Sequence, residues 1–105
     1  MHENLFEVPT PLGFRVLVRR TRWDLITTVK HPIMANREMD VQQTLQYPEQ
    51  VRQSQTDATV LLFYRSERIG RWTCVVVKRV DNDDAFLITA YPTDAIKEGE
   101  TIWTR

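Results

Sequence analysis

Between Thr59 and Tyr91 the chain reads as three runs of Val, Leu, Ile, Phe, Tyr and Thr, separated by two polar turns. These residue types fit a half-buried pleated surface, and each run has strand length. The first turn, Ser66-Glu67-Arg68-Ile69-Gly70, carries charge and a glycine. The second, Asp81-Asn82-Asp83-Asp84, consists of side chains that bond their own backbone. Connections this short join antiparallel neighbours, so the stretch predicts a meander. In the last run a period of two puts Phe86, Ile88 and Ala90 on one face and Ala85, Leu87, Thr89 and Tyr91 on the other. The first face is wholly apolar and is the expected core. The second ends in two hydroxyls, where chemistry is expected.

Upstream the pattern changes. Residues 1–12 contain Pro9 and Pro11 without periodicity, predicting an irregular arm. The segment from Gly13 to Arg19 alternates as a strand, with Phe14, Leu17 and Val18 as its expected buried members. Thr21-Arg22-Trp23-Asp24 has the form of a capping box, opening a helix in which Trp23, Ile26 and Val29 or Lys30 recur at helical spacing. Pro32 biases His31 away from helical dihedrals, so this helix ends at Lys30 or His31. His31 then sits at a helix C-terminus, where the macrodipole favours a cationic imidazole. Asn36 is the expected cap of a second helix, Arg37 to Gln46, which turns Val41 and Leu45 to the core. Val51 to Ser54 reads as a short strand leading into the meander. After Tyr91, Pro92 is expected to stop the sheet, Thr93 to cap a one-turn helix and Gly99 to end it. The expectation is α+β in a single domain, 1–105, with an arm at 1–12 and a globular core at 13–105. An N-terminal strand and two helices pack on an antiparallel meander of three to four strands.

A chain of 105 residues can bury one modest core. The lone cysteine, Cys74, lies within a strand and cannot form an intrachain disulfide, which makes a reducing cytoplasm the expected location. No apolar run approaches the roughly 20 residues that a membrane helix needs, and the first residues lack the basic-then-apolar pattern of a signal peptide. The formal net charge is zero, but its distribution is uneven. Arg15 to Arg37 holds six cations against Asp24, Arg65 to Arg79 holds five against Glu67, and Asp81 to Glu100 holds six acids against Lys97. Two basic stretches on one face would attract phosphate; scattered, they are ordinary surface charge.

No motif announces a cofactor, and none is expected. Cys74 has no cysteine partner, and His2 and His31 are not at ligand spacing. Three glycines, at 13, 70 and 99, are too scattered for a phosphate loop. No strand-to-helix elbow presents a serine. Metal-free RNA cleavage demands less. The substrate carries its own nucleophile, so an acid or base near the 2′-hydroxyl and cations near the phosphate suffice.

An ordered set of segments carries a resemblance: His31-Pro32, then Thr44 through Val51 (TLQYPEQV), Leu62-Phe63-Tyr64-Arg65, Trp72 through Lys78 (WTCVVVK), and Leu87-Ile88-Thr89-Ala90-Tyr91. Together they resemble small phage- and bacterium-associated proteins of the barnase–EndoU–colicin–RelE-like nuclease superfamily, over roughly residues 23 to 98. Where that pattern often has an acid after His-Pro, this chain has Ile33. The resemblance implies helices on one face of a four-stranded antiparallel sheet, an RNA-cleaving site on the open face, and partners that include RNA and a cognate inhibitor protein. It also implies catalytic residues. His31 would be general base or acid, Arg65 and Lys78 would stabilise the phosphorane, and Thr89 and Tyr91 would hold a phosphate oxygen or donate a proton. Tyr64 and Arg79 stand beside them as substrate-binding residues, Tyr64 by stacking on a base.

Each of these residues has a plainer reading. A histidine before a proline can simply cap a helix, Lys78 can snorkel to solvent, Arg65 can be a solvated charge beside a turn, and Thr89, Tyr91 and Tyr64 are good strand formers. Strand parity groups Lys78 with Trp72, Cys74 and Val76, and Arg79 with Thr73, Val75 and Val77, without fixing which group faces outward. The expected function is a metal-independent endoribonuclease of toxin or phage type. The alternative is a non-catalytic module that binds RNA or protein on the same fold, and a third is an interaction domain that adds a partner strand at a sheet edge. Catalysis requires His31, Tyr91 and either Lys78 or Arg65 to converge in one cleft. A binding module requires only a basic surface, and edge docking an open, weakly charged edge strand.

Overall fold

The computed structural model describes residues 4–96 and 98–105. In chain order they form strands β1 (Asn4–Pro9) and β2 (Arg15–Arg19), helix α1 (Arg20–Leu25), a π-helical turn (Ile26–Lys30), a 3-10 turn (Pro32–Met34) and helix α2 (Glu38–Gln46). Five more strands follow: β3 (Gln50–Gln53), β4 (Val60–Arg68), β5 (Arg71–Arg79), β6 (Asp84–Thr93) and β7 (Glu100–Thr104). All seven strands join one sheet in the order β1-β2-β6-β5-β4-β3-β7. The β2–β6 pair is parallel and the other neighbours are antiparallel. The fold is therefore α+β with a mixed sheet. The expected meander forms its centre, β3-β4-β5-β6, and the sheet is wider than expected because both ends of the chain add strands.

Those additions correct the reading of the termini. Of the expected irregular arm, Asn4–Pro9 pairs antiparallel with β2. Glu100–Thr104, beyond Gly99, pairs with β3. Among the described residues no one-turn helix precedes it; Thr93 Oγ1 instead accepts from the Ala95 amide at 3.3 Å and donates to the Ala95 carbonyl at 3.0 Å. Pro92 does not stop β6. The strand runs on to Thr93, because its pairing with β2 ends at Phe86 and the proline needs no partner on that edge.

α1 has no side-chain cap: Arg19 occupies the N-cap position, so the predicted Thr21–Asp24 box does not form. Likewise Arg37, not Asn36, precedes α2, and Asn36 takes a left-handed φ of 67°. Val41 and Leu45 are fully buried, as the helical spacing predicts. At such a site truncation of leucine to alanine costs about 2–5 kcal/mol. α2 touches β4 and β5 in the middle of the sheet and also β1 at its end, so the sheet curls around this helix. In β2, Val16 and Val18 face the core with Phe14, whereas Leu17 lies on the other face, half-buried.

The sheet's two faces carry separate apolar clusters. Facing α2 are Phe63, Val75, Val77, Ala85, Leu87 and Ala90, among others. The opposite face carries Leu62, Tyr64, Cys74 and Val76, with Ile88, Tyr91 and Ile96 packed against them. The expected parity of β6 is thus correct at Ala90 and reversed at Phe86 and Ile88. A β-bulge is the reason: Val76 pairs with Thr89 and Val77 with Leu87, leaving Ile88 unmatched. An extra residue in one strand inverts the alternation on one side of it.

Candidate functional site

His31 is held by its backbone from both sides. Its N–H donates to the Ile26 carbonyl at 2.7 Å, the five-residue bond that closes the π-helical turn, and its own carbonyl accepts from Met34 N–H at 2.9 Å. Thr27 and Thr28 hydroxyls bond back to the Trp23 and Asp24 carbonyls at 3.0 and 2.6 Å, through the same turn. Pro32 excludes helical dihedrals, and His31 adopts φ −142° and ψ 75°. Single π-helical turns of this kind recur at functional sites. α1 continues from the end of β2 and lies against β6, while the 3-10 turn contacts β6 further along. The imidazole is thereby placed beside Tyr91, with ring centroids 5.3 Å apart and planes inclined by 38°.

Tyr91 pairs across the sheet with Cys74, which pairs in turn with Tyr64, so the three side chains form a row on the face away from α2. Burial is the main reason that both phenols hold their protons above the ordinary tyrosine range, and the adjoining Cys74 is the next. Burial likewise pushes the Cys74 thiol up to about 11, although the two phenols lean the other way. Tyr91 at neutral pH is therefore a hydrogen-bond donor and not a phenolate base. A cleft of about 200 Å³ opens beside this row, lined by Tyr64, Tyr91, Thr93, Asp94, Ala95 and Glu98. Glu98 is close enough to help raise Tyr64, Cys74 and Tyr91.

The remaining sequence candidates do not gather there. Arg65 pairs with Thr73 on the α2 side of the sheet, and its Nη1 donates to the Tyr47 carbonyl at 2.7 Å, at the end of α2. Lys78 is on the same face as Tyr91 but four positions from Cys74 along β5, which is about 13 Å at the rise of a strand. Its Nζ lies 3.2 Å from Asp57 Oδ2. The expected convergence of either cation with His31 and Tyr91 is therefore not met. Thr89 shares the Tyr91 face, but its Oγ1 is buried and has no hydrogen-bond partner among the described residues. Tyr64 is 2% exposed, too buried for a base to stack on it. Arg79 lies on the core-side parity at the strand end, 4.7 Å over the Phe14 ring, and donates to the Asp81 and Asn82 carbonyls. It fastens the β5–β6 turn, which explains its place without a substrate.

The sequence reading passed over a second set of residues. Leu17, Arg19, Thr21, Arg22, Leu25, Phe86 and Leu87 line a cavity of about 520 Å³ between α1 and the sheet. It also passed over Arg37, whose guanidinium is held by Asp40, Glu67 and the Thr73 hydroxyl on the α2 side. The signal for the cavity was the basic stretch from Arg15 to Arg37, but its relation to Phe86 depends on the β6 bulge. Among the described residues no cluster of His, Cys, Asp and Glu has the makings of a metal site; His2 lies outside them. No described helix is long and apolar enough to cross a membrane. No protein-family model, curated protein or solved structure matches the chain.

Proposed function

We propose that the chain is a metal-independent endoribonuclease, in keeping with the resemblance to the barnase–EndoU–colicin–RelE-like superfamily, with its site reduced to His31 and Tyr91. The observation that carries this reading is the apposition of the two rings at the end of β6, with His31 fixed by backbone bonds on both sides. Histidine is the side chain that most often serves as general acid or base. In the proposed reaction the neutral imidazole takes the 2′-hydroxyl proton as the 2′-oxygen attacks phosphorus. The 5′-oxygen leaves with a proton from water in the open cleft, giving a 2′,3′-cyclic phosphate and a 5′-hydroxyl. Tyr91, held protonated by burial, donates a hydrogen bond to a non-bridging oxygen where charge develops.

The cations favour a second reading. Arg65 faces α2, Lys78 is paired with Asp57, and Asp94 and Glu98 line the nearer cleft. A non-catalytic module that binds RNA accounts for this distribution without needing charge at the scissile phosphate. One assay separates the readings: end-labelled RNA incubated with the protein in excess chelator, beside the same sequence with a single 2′-deoxy position. The nuclease reading predicts cyclic-phosphate ends and no cut at the deoxy position. Intact RNA throughout leaves the binding reading.

A further inference from the structure

The cavity between α1 and the sheet lies at the opposite end of β6 from His31 and combines three features. Its floor is apolar, with Leu17, Leu25, Phe86 and Leu87. Its walls are basic: Arg19 and Arg22 line it, and neither is in a salt bridge with a described residue. Its aromatic ring is already covered by a cation, since the Arg19 guanidinium carbon lies 5.6 Å from the Phe86 ring centroid. Lys78 is the cross-strand partner of Phe86 and Leu17 is its partner on the other side, so another cation borders the same ring.

The β6 bulge gives this arrangement its direction. Phe86 and Tyr91 are an odd number of residues apart and would face opposite ways in a regular strand; with Ile88 inserted, both lie on the face away from α2. Phe86 is paired with Lys78 and Tyr91 with Cys74, so the two aromatics are about 13 Å apart along the sheet. At the stacked spacing of about 3.4 Å per nucleotide that distance covers about four nucleotides, and fewer in an unstacked strand. α1 and the π-helical turn run between the two points, from Arg22 to His31.

We propose that this cavity is a base-stacking subsite for single-stranded RNA, in which a nucleobase displaces the Arg19 side chain from Phe86 and the flanking phosphates pair with Arg19 and Arg22. A half-buried ring at the surface, flanked by cations, is a combination that holds single strands irrespective of sequence. The subsite would grip the substrate a few nucleotides from His31 and supply the phosphate contacts that the His31–Tyr91 end lacks. It rests on the RNA reading above but not on cleavage.

The test uses the full chain and a fluorescein-labelled, fully 2′-O-methylated RNA of about 10 nucleotides, which binds like a single strand but cannot be cut. Anisotropy titrations at several salt concentrations compare the protein with Phe86→Leu, Arg22→Gln and Arg105→Gln. The last removes an equal charge beyond β7, at the far edge of the sheet. Phe86→Leu should weaken binding about tenfold or more, as expected for the loss of one stacked base. Arg22→Gln should lower the salt slope by about 0.7, one phosphate contact on a single strand, while Arg105→Gln binds as the parent does. Should Phe86→Leu damage folding, Arg22→Gln at an exposed position still decides. Parent-like binding by both groove variants, or no binding by the parent at low salt, overturns the subsite. Groove-dependent binding without any cleavage retains the subsite and removes the nuclease reading; cleavage with groove variants that bind like the parent does the reverse.

Discussion

The His31 imidazole rests 5.3 Å from the Tyr91 ring, joining a π-helical turn to the end of a strand far from it in sequence. Two local irregularities produce the contact. The five-residue bond from His31 N–H to the Ile26 carbonyl closes the π-helical turn that follows α1 and leads into His31. The bulge at Ile88 restores Tyr91 to the face that Phe86 also occupies.

Thr89 is the candidate whose role the geometry weakens most. Its buried hydroxyl has no partner among the described residues, and an unsatisfied buried hydroxyl costs about 1–3 kcal/mol. Thr89→Val keeps the shape and removes the orphan group. Chemical denaturation should find this variant more stable, by about 1 kcal/mol, with RNA cleavage at the parent rate. A large loss of cleavage would return Thr89 to the site.

Gly99 has φ +80°, and a Cβ there would meet the Gln53 carbonyl oxygen at 2.5 Å. Its own carbonyl accepts from Arg52 Nη1 at 3.3 Å, at the entry to β7. Gly99→Ala should lower stability by about 2 kcal/mol, since it combines left-handed strain with a backbone clash. Hydrogen exchange should accelerate first in β3 and β7. Unchanged protection in those strands would mean that β7 pairing does not depend on this turn.

How much of this was legible follows from what each signal needs. The central meander and the Val41–Leu45 face of α2 are written in local periodicity, and the structure has both. β1 and β7 were missed because they are short edge strands whose burial comes from a distant neighbour. β1, for instance, buries Val8 among the core residues while Glu7 meets Arg15 at 3.0 Å. The bulge at Ile88 is invisible in a run of apolar residues, so the faces of Phe86 and Ile88 were reversed. His31 and Tyr91 carried a family resemblance, but their contact needed the π-helical turn. Arg65 and Lys78 matched the resemblance by type alone, and strand parity with distance along β5 separates them.

Asp57 links the β3–β4 turn to Lys78. Hydrogen bonds from the Thr59 hydroxyl and amide, then from Lys78, lower its pKa from 3.8 to about 2. A depressed carboxylate stabilises the fold above its unfolded pKa and loses that contribution as pH falls through the folded value. The stability gap between the protein and Asp57→Asn should therefore be constant above pH 3.8 and close as pH falls toward about 2. A gap independent of pH in urea melts across that window would contradict this linkage.

Cys74 is fully buried and its thiol is pushed up to about 11. Because the thiolate is the reactive form, iodoacetamide at mildly alkaline pH should leave the folded protein unmodified and label it rapidly in denaturant. Labelling at equal rates in both would show that the Tyr64–Cys74–Tyr91 row opens to solvent.

Single-turnover cleavage of a labelled RNA in excess chelator, with His31→Ala and Tyr91→Phe beside the parent, reads the catalytic pair itself. Loss of a general base should slow cleavage about 100-fold or more, and loss of the Tyr91 hydroxyl should slow it by a smaller factor while leaving RNA affinity intact. Equal cleavage by the parent and His31→Ala, or none by the parent, would contradict a catalytic pair at the end of β6.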